Sequence, residues 1–134
     1  MSFKEITKIL DEIDAKIVVL LCHHNADPDA ICSAYAFASL LKQSRPNFEV
    51  EIGAAHGISR LSRHLLTFLP IDVETQPNIE KADAMVLLDT NTIQQLDDLA
   101  EKVKNSKAPI IVIDHHVAHP ETVQMAKLCI TNEE

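Results

Sequence analysis

Hydrophobic and polar positions follow two rhythms along this chain, and each change of rhythm marks an element. Three short runs are apolar at every position: Ile17-Val18-Val19-Leu20-Leu21-Cys22, Met85-Val86-Leu87-Leu88 and Ile110-Ile111-Val112-Ile113. Aliphatic runs of this kind fit strands buried on both faces, as in a parallel sheet covered by helices on its two sides. Phe48-Glu49-Val50-Glu51-Ile52 instead alternates with period two, the mark of a half-exposed strand near a sheet edge.

Between these runs the period lengthens to that of a helix. Ser2-x-x-Glu5 forms a capping box ahead of Ile6, Ile9, Leu10 and Ile13. A second helix is predicted from Asp29 to about Gln43, with Ile31, Ala34, Tyr35, Phe37, Ala38 and Leu41 on its apolar side, and Arg45-Pro46 breaks it. A third follows Gly57 and turns Ile58, Leu61, Leu65 and Leu66 inward. A short strand is expected near residues 71–73. Thr92-x-x-Gln95 then caps a helix that buries Ile93, Leu96, Leu99 and Val103. Leu128-Cys129-Ile130 fits one more strand. Strand and helix alternate throughout, which predicts a three-layer α/β/α sandwich around a mainly parallel sheet.

The polar residues matter most where the apolar runs stop. The first run ends in His23-His24-Asn25-Ala26-Asp27-Pro28-Asp29, the second in Asp89, and the third in Asp114-His115-His116. In a parallel sheet all carboxyl ends share one edge, and ligands bind there. His23, Asp27 and Asp29 therefore sit in a loop that can aim them at one point, with Asp89 and His115 arriving from neighbouring strands. Crowded carboxylates stay ionised together only when a cation compensates them. A mixed carboxylate and imidazole set suits Mn²⁺, Zn²⁺, Fe²⁺ or Co²⁺ better than Ca²⁺. A central carboxylate such as Asp89 can bridge two cations, an arrangement that serves in-line attack on phosphorus by an activated hydroxide. His24 reads as a solvated neighbour outside the site, and His56, His64 and His119 as surface or loop residues. Arg60, Arg63 and His64 read as a solvated helix face, and Asp97-Asp98 as solvated charge.

The bulk numbers narrow the field. With 134 residues the chain holds a single core. The core is aliphatic, since Trp is absent and aromatics make up 4%. No apolar run approaches the roughly 20 residues that span a bilayer, and the amino end lacks a secretory pattern, so a cytoplasmic setting without membrane partners is expected. Cys22, Cys32 and Cys129 lack C-x-x-C spacing and read as inert buried thiols. The formal charge of −8 argues against a general nucleic-acid surface. Two bound divalent cations would offset about four of those charges locally and could take a phosphate-bearing substrate themselves.

The spaced set His23-x-Asn25-x-Asp27-x-Asp29-Ala30-x-x-Ser33-Ala34, Leu88-Asp89-Thr90 and Asp114-His115-His116 resembles the first three motifs of the DHH phosphoesterase superfamily. That superfamily includes RecJ-type exonucleases, nano-RNases and class II inorganic pyrophosphatases. The resemblance implies two Mn²⁺ ions, with Mg²⁺, Co²⁺ or Zn²⁺ as substitutes. His23 and Asp27 would hold one, Asp29 and His115 the other, and Asp89 would bridge them. His116 would contact substrate phosphate and Asp114 would orient His115. Ile31-Cys32-Ser33-Ala34 resembles the pyrophosphatase form of the first motif, whereas Asp89-Thr90 resembles the nuclease and nucleotide-phosphatase form of the second. Hydrolysis of nucleotides or short oligonucleotides is the first expectation. Class II-like pyrophosphate hydrolysis and a non-catalytic metal-binding regulatory module are the alternatives. The fourth motif and the C-terminal substrate-binding domain of the family are not found within residues 1–134, so a partial DHH domain is expected, weak or inactive alone. A homo-oligomer stays open.

Overall fold

The computed structural model describes residues 3–90, 93–114 and 126–131, with Asp114 and 126–131 described by their backbone. Helix α1 (Phe3–Glu12) leads into β1 (Ile17–Cys22), α2 (Pro28–Ser44), β2 (Glu49–Ala54), the short α3 (Arg60–Leu65) and β3 (Ala84–Leu88). Then follow a 3₁₀ segment (Ile93–Leu99), α4 (Ala100–Asn105), β4 (Ile110–Asp114) and β5 (Ala126–Thr131). The five strands form one sheet in the order β2-β1-β3-β4-β5, and every neighbouring pair is parallel.

Period-two geometry splits each buried strand between two cores. Val18, Leu20 and Cys22 of β1 join Val86, Leu88 and Ile111 against Ile6 and Leu10 of α1 and Ala30, Ile31, Ala34 and Leu41 of α2. The intervening residues Val19, Leu21, Met85, Leu87 and Val112 face the other way, onto Ile93, Leu96, Leu99 and Val103. Strands sandwiched like this need apolar side chains at every position, so the uninterrupted runs in the sequence mark them directly. The architecture is the expected three-layer α/β/α sandwich.

Polar groups fix the strand starts. Asp83 Oδ2 accepts the backbone N–H of Lys16 at 2.8 Å and of Ile17 at 2.9 Å, which ties the entry of β3 to that of β1. At Gly53 a side chain would collide with the Pro77 ring, so the absence of Cβ lets the connection to β3 close over β2. That connection forms an isolated parallel bridge with β2, Gly53 to Glu74, and no strand forms at 71–73, contrary to the sequence expectation.

Three further expectations change. The helix expected after Thr92 is broken: residues 93–99 wind as 3₁₀, Asp97 leaves helical space at φ 51°, ψ −118°, and only 100–105 is α-helical. The apolar spacing was right, because Ile93, Leu96, Leu99 and Val103 are all buried. Leu61, expected inward, is 66% exposed. Helix α3 is only six residues long, and the group it turns into the protein is the hydroxyl of Ser62, bonded to the Ala26 carbonyl at 2.8 Å. Cys32, expected buried, is exposed on α2, whereas Cys22 is buried. Ser2, Thr92 and His119 lie outside the described residues.

Candidate metal centre

The chain direction reverses between β1 and β3. From β1 the chain moves outward to β2, and from β3 it moves the opposite way to β4. At such a switch point the two loops diverge from the carboxyl edge and leave a crevice between them, where ligands of open α/β sheets bind. His23 and Asp27 follow β1, and Asp89 follows β3. Their ligand atoms lie within 4.8 Å of one another.

Each side chain of this trio is held by local chemistry. His23 Nδ1 lies 2.9 Å from the His24 carbonyl oxygen, which can only accept, so Nδ1 carries the proton. In the neutral ring the lone pair is then on Nε2, the nitrogen facing Asp27 Oδ2 at 3.7 Å. That separation exceeds a hydrogen bond and suits two donors converging on a common centre. Asp27 caps α2, its Oδ1 accepting the Ala30 N–H at 2.9 Å while Pro28 occupies the first helical turn. One carboxylate oxygen thus starts a helix and the other is offered to the crevice. Asp89 takes φ 53° and donates its backbone N–H to the Ile113 carbonyl at 3.0 Å, which fixes it against the end of β4. Its Oδ1 is shielded from solvent. Behind it the buried hydroxyl of Thr90 donates to the Leu88 carbonyl at 3.0 Å.

Cys22 lies underneath. Burial, and after it the negative charges of Asp89 and Asp27, push its thiol up to about 12. It stays a thiol, with Sγ 3.7 Å from the Ala30 carbonyl. The loops around the crevice also carry left-handed backbone at non-glycine positions: Asn25, His56, Asp89 and Asp97 all have φ between 51° and 59°. Such conformations gather where the surroundings hold a site in place.

Of the sequence-derived ligands, His23, Asp27 and Asp89 come together. Asp29 is exposed in the first turn of α2 and does not belong to that trio. His115 and His116 lie outside the described residues. Asp114 ends β4, the strand beside β3, at the same carboxyl edge. The sequence reading missed a second grouping. His56 Nε2 lies 3.2 Å from Asp97 Oδ2 and 3.2 Å from Asp98 Oδ2, all three exposed. His56 follows β2 at the same carboxyl edge, and that position was the available signal. His24 is exposed, with its N–H and its Nδ1 both directed at the Gln95 carbonyl, which ties the β1 loop to the 3₁₀ segment.

An imidazole nitrogen and two carboxylates within this radius fit a divalent transition cation by donor chemistry. The model of the DHH family N-terminal domain matches residues 16–134. The chain belongs to the DHH family. An uncharacterized protein of Methanocaldococcus jannaschii is 33% identical over 124 residues, covering 91% of this chain and 35% of that protein. A probable manganese-dependent inorganic pyrophosphatase of Bacillus cereus is 36% identical over 111 residues, covering 78% of this chain and 33% of that protein. An exopolyphosphatase-related protein of Bacteroides fragilis shares the fold with a TM-score of 0.77 at 20% identity, over 97% of this chain and 39% of that one. The chain therefore spans about a third of the length of these relatives. No helix among the described residues is long and apolar enough to cross a membrane.

Proposed function

We propose that this chain is the metal-binding part of a divalent-cation-dependent phosphohydrolase. The observation that carries the reading is the convergence of His23 Nε2, Asp27 and Asp89 at the switch point of a parallel sheet. His23, Asp27 and Asp89 would hold a first cation, with Asp29 and His115 completing a second and Asp89 shared between them. Mn²⁺ is the favoured ion, supported by the ligand mixture and by the manganese-dependent description of the Bacillus relative. Cations held there supply charge compensation and Lewis-acid polarisation of phosphoryl oxygens.

The protein's own contribution is positioning. The Nδ1–H bond to the His24 carbonyl keeps the His23 ring in the tautomer that offers Nε2. The helix cap keeps Asp27 from rotating away. Asp114 would orient His115, and His116 would hold the substrate phosphate.

The names of the relatives weigh toward inorganic phosphoanhydrides, which the motif reading ranked second. The Asp89-Thr90 pair favours nucleotides or short oligonucleotides as a second reading. Side-by-side assay of the full-length protein with Mn²⁺ on pyrophosphate, tripolyphosphate and a dinucleotide separates them. Phosphate release from the first two alone supports the anhydride reading, and cleavage of the dinucleotide alone supports the second. No Mn²⁺ binding by calorimetry, or hydrolysis unchanged in Asp89→Asn, overturns both.

A further inference from the structure

The net charge of −8 is unevenly spread. Between Glu51 and Asp72 the chain carries no carboxylate, although the whole sequence has 20 Asp and Glu. That stretch contains Arg60, Arg63 and His64 on α3, at spacings that set them on one outward face, and all three are exposed. Arg45 offers a contrast, since it is gripped by Asp11 through Nε–H to Oδ1 at 2.9 Å. Among the described residues neither the Arg60 nor the Arg63 guanidinium has an ion-pair or hydrogen-bond partner. Two unpaired guanidiniums on one short helix of an acidic protein are available to a ligand.

Their helix is tied to the metal centre. The Ser59 N–H donates to the Ala26 carbonyl at 2.8 Å, and the Ser62 hydroxyl donates to the same oxygen at 2.8 Å. The Ala26 N–H in turn donates to the Gly57 carbonyl at 3.3 Å. Ala26 immediately precedes Asp27. Helix α3 therefore starts against the ligand loop, and Arg60 and Arg63 lie within its first turn, whose rise is about 5.4 Å.

We infer that Arg60 and Arg63 form an anion clamp beside the metal centre, one that takes a second phosphoryl group of a substrate whose first is held at the cations. This deepens the phosphohydrolase reading and rests on it. The clamp selects compounds with two or more phosphoryl groups, anhydride chains or terminally phosphorylated oligonucleotides, over esters with a single one. The guanidinium fork matches two phosphoryl oxygens at once, a geometry that lysine does not reproduce. Because both arginines are solvent-exposed, their attraction is screened over about 8 Å at physiological salt, and the clamp's contribution falls as salt rises.

The test uses the Mn²⁺-loaded full-length protein with imidodiphosphate, a bridging-nitrogen analogue of pyrophosphate, as the binding probe. Bis(p-nitrophenyl) phosphate serves as a substrate with one phosphoryl group. R60A and R63A are each expected to weaken imidodiphosphate about fivefold to tenfold, as loss of a charge-assisted hydrogen bond does, and to flatten the salt dependence. R63K should recover only part of the loss. Mn²⁺ affinity and KM for the bis-ester should stay at wild-type values. Unchanged imidodiphosphate affinity in both variants overturns the clamp, and so does an equal rise in KM for the bis-ester. Should the wild type bind no Mn²⁺, the phosphohydrolase reading falls, while the imidodiphosphate titration still decides the clamp by whether binding depends on the two arginines.

Discussion

At the amino edge of the sheet, Asp83 accepts two backbone N–H groups and Asp11 is held by Arg45. At the carboxyl edge, Asp27 and Asp89 converge instead on one another and on the lone pair of His23. Both edges carry carboxylates at or near the ends of elements, so residue type alone does not separate them. The partners do. Where protein donors meet the charge, the carboxylate stitches elements together. Where two carboxylates also face each other and an imidazole nitrogen, the fold crowds donors that a bound cation would compensate, even though Asp27 caps α2 as well. The same division runs through the arginines: the Arg45 guanidinium is engaged, and those of Arg60 and Arg63 have no partner among the described residues.

Substitutions on the two edges should therefore fail in opposite ways. The largest effect is expected from Asp89→Asn, with Mn²⁺ affinity and hydrolysis falling by at least about 100-fold. The metal-free thermal midpoint should stay level or rise, since like-charge crowding is relieved; a clear drop in that midpoint would make Asp89 structural and erase the contrast. Asp27→Asn comes next. Asparagine caps a helix as well as aspartate, so helicity should hold while Mn²⁺ affinity falls about tenfold or more, measured by calorimetry against circular dichroism. Asp83→Ala should cost about 1 kcal/mol in a urea titration, because two backbone donors lose their acceptor yet remain near water; its Mn²⁺ binding should match the wild type. The smallest effect belongs to Asp11→Asn. The Arg45 side-chain hydrogen bond lowers the Asp11 pKa below its ordinary value of 3.8. Its stabilising contribution is then present above that pH and is lost as pH falls through the depressed value. Acid titrations of wild type and variant should stay apart above pH 3.8, close as pH falls from there, and merge only below the depressed value.

How far the sequence discloses this depends on the kind of force involved. Residues 17–22, 84–88 and 110–113 announce themselves because burial on both faces demands apolar side chains throughout, and composition alone records that demand. His23, Asp27 and Asp89 are legible for a related reason: parallel strands deliver their ends to one edge, so position along the chain becomes position in space. Leu61 misleads because apolar spacing cannot foresee that a hydroxyl, Ser62, anchors α3 through a carbonyl 36 residues away. The break at Asp97 is equally silent, since Ile93, Leu96, Leu99 and Val103 keep their burial while the backbone between them leaves the helix. The gathering of His56 with Asp97 and Asp98 depends on that same backbone departure.

Asp27 has a practical consequence. Its two oxygens face different tasks, with Oδ1 on the Ala30 N–H and Oδ2 toward the His23 ring. Electron density drawn toward a cation at one oxygen must be felt at the other, so the Ala30 amide proton is a built-in gauge of occupancy. Its chemical shift should move on ion loading in the intact protein, with no label introduced near the crevice.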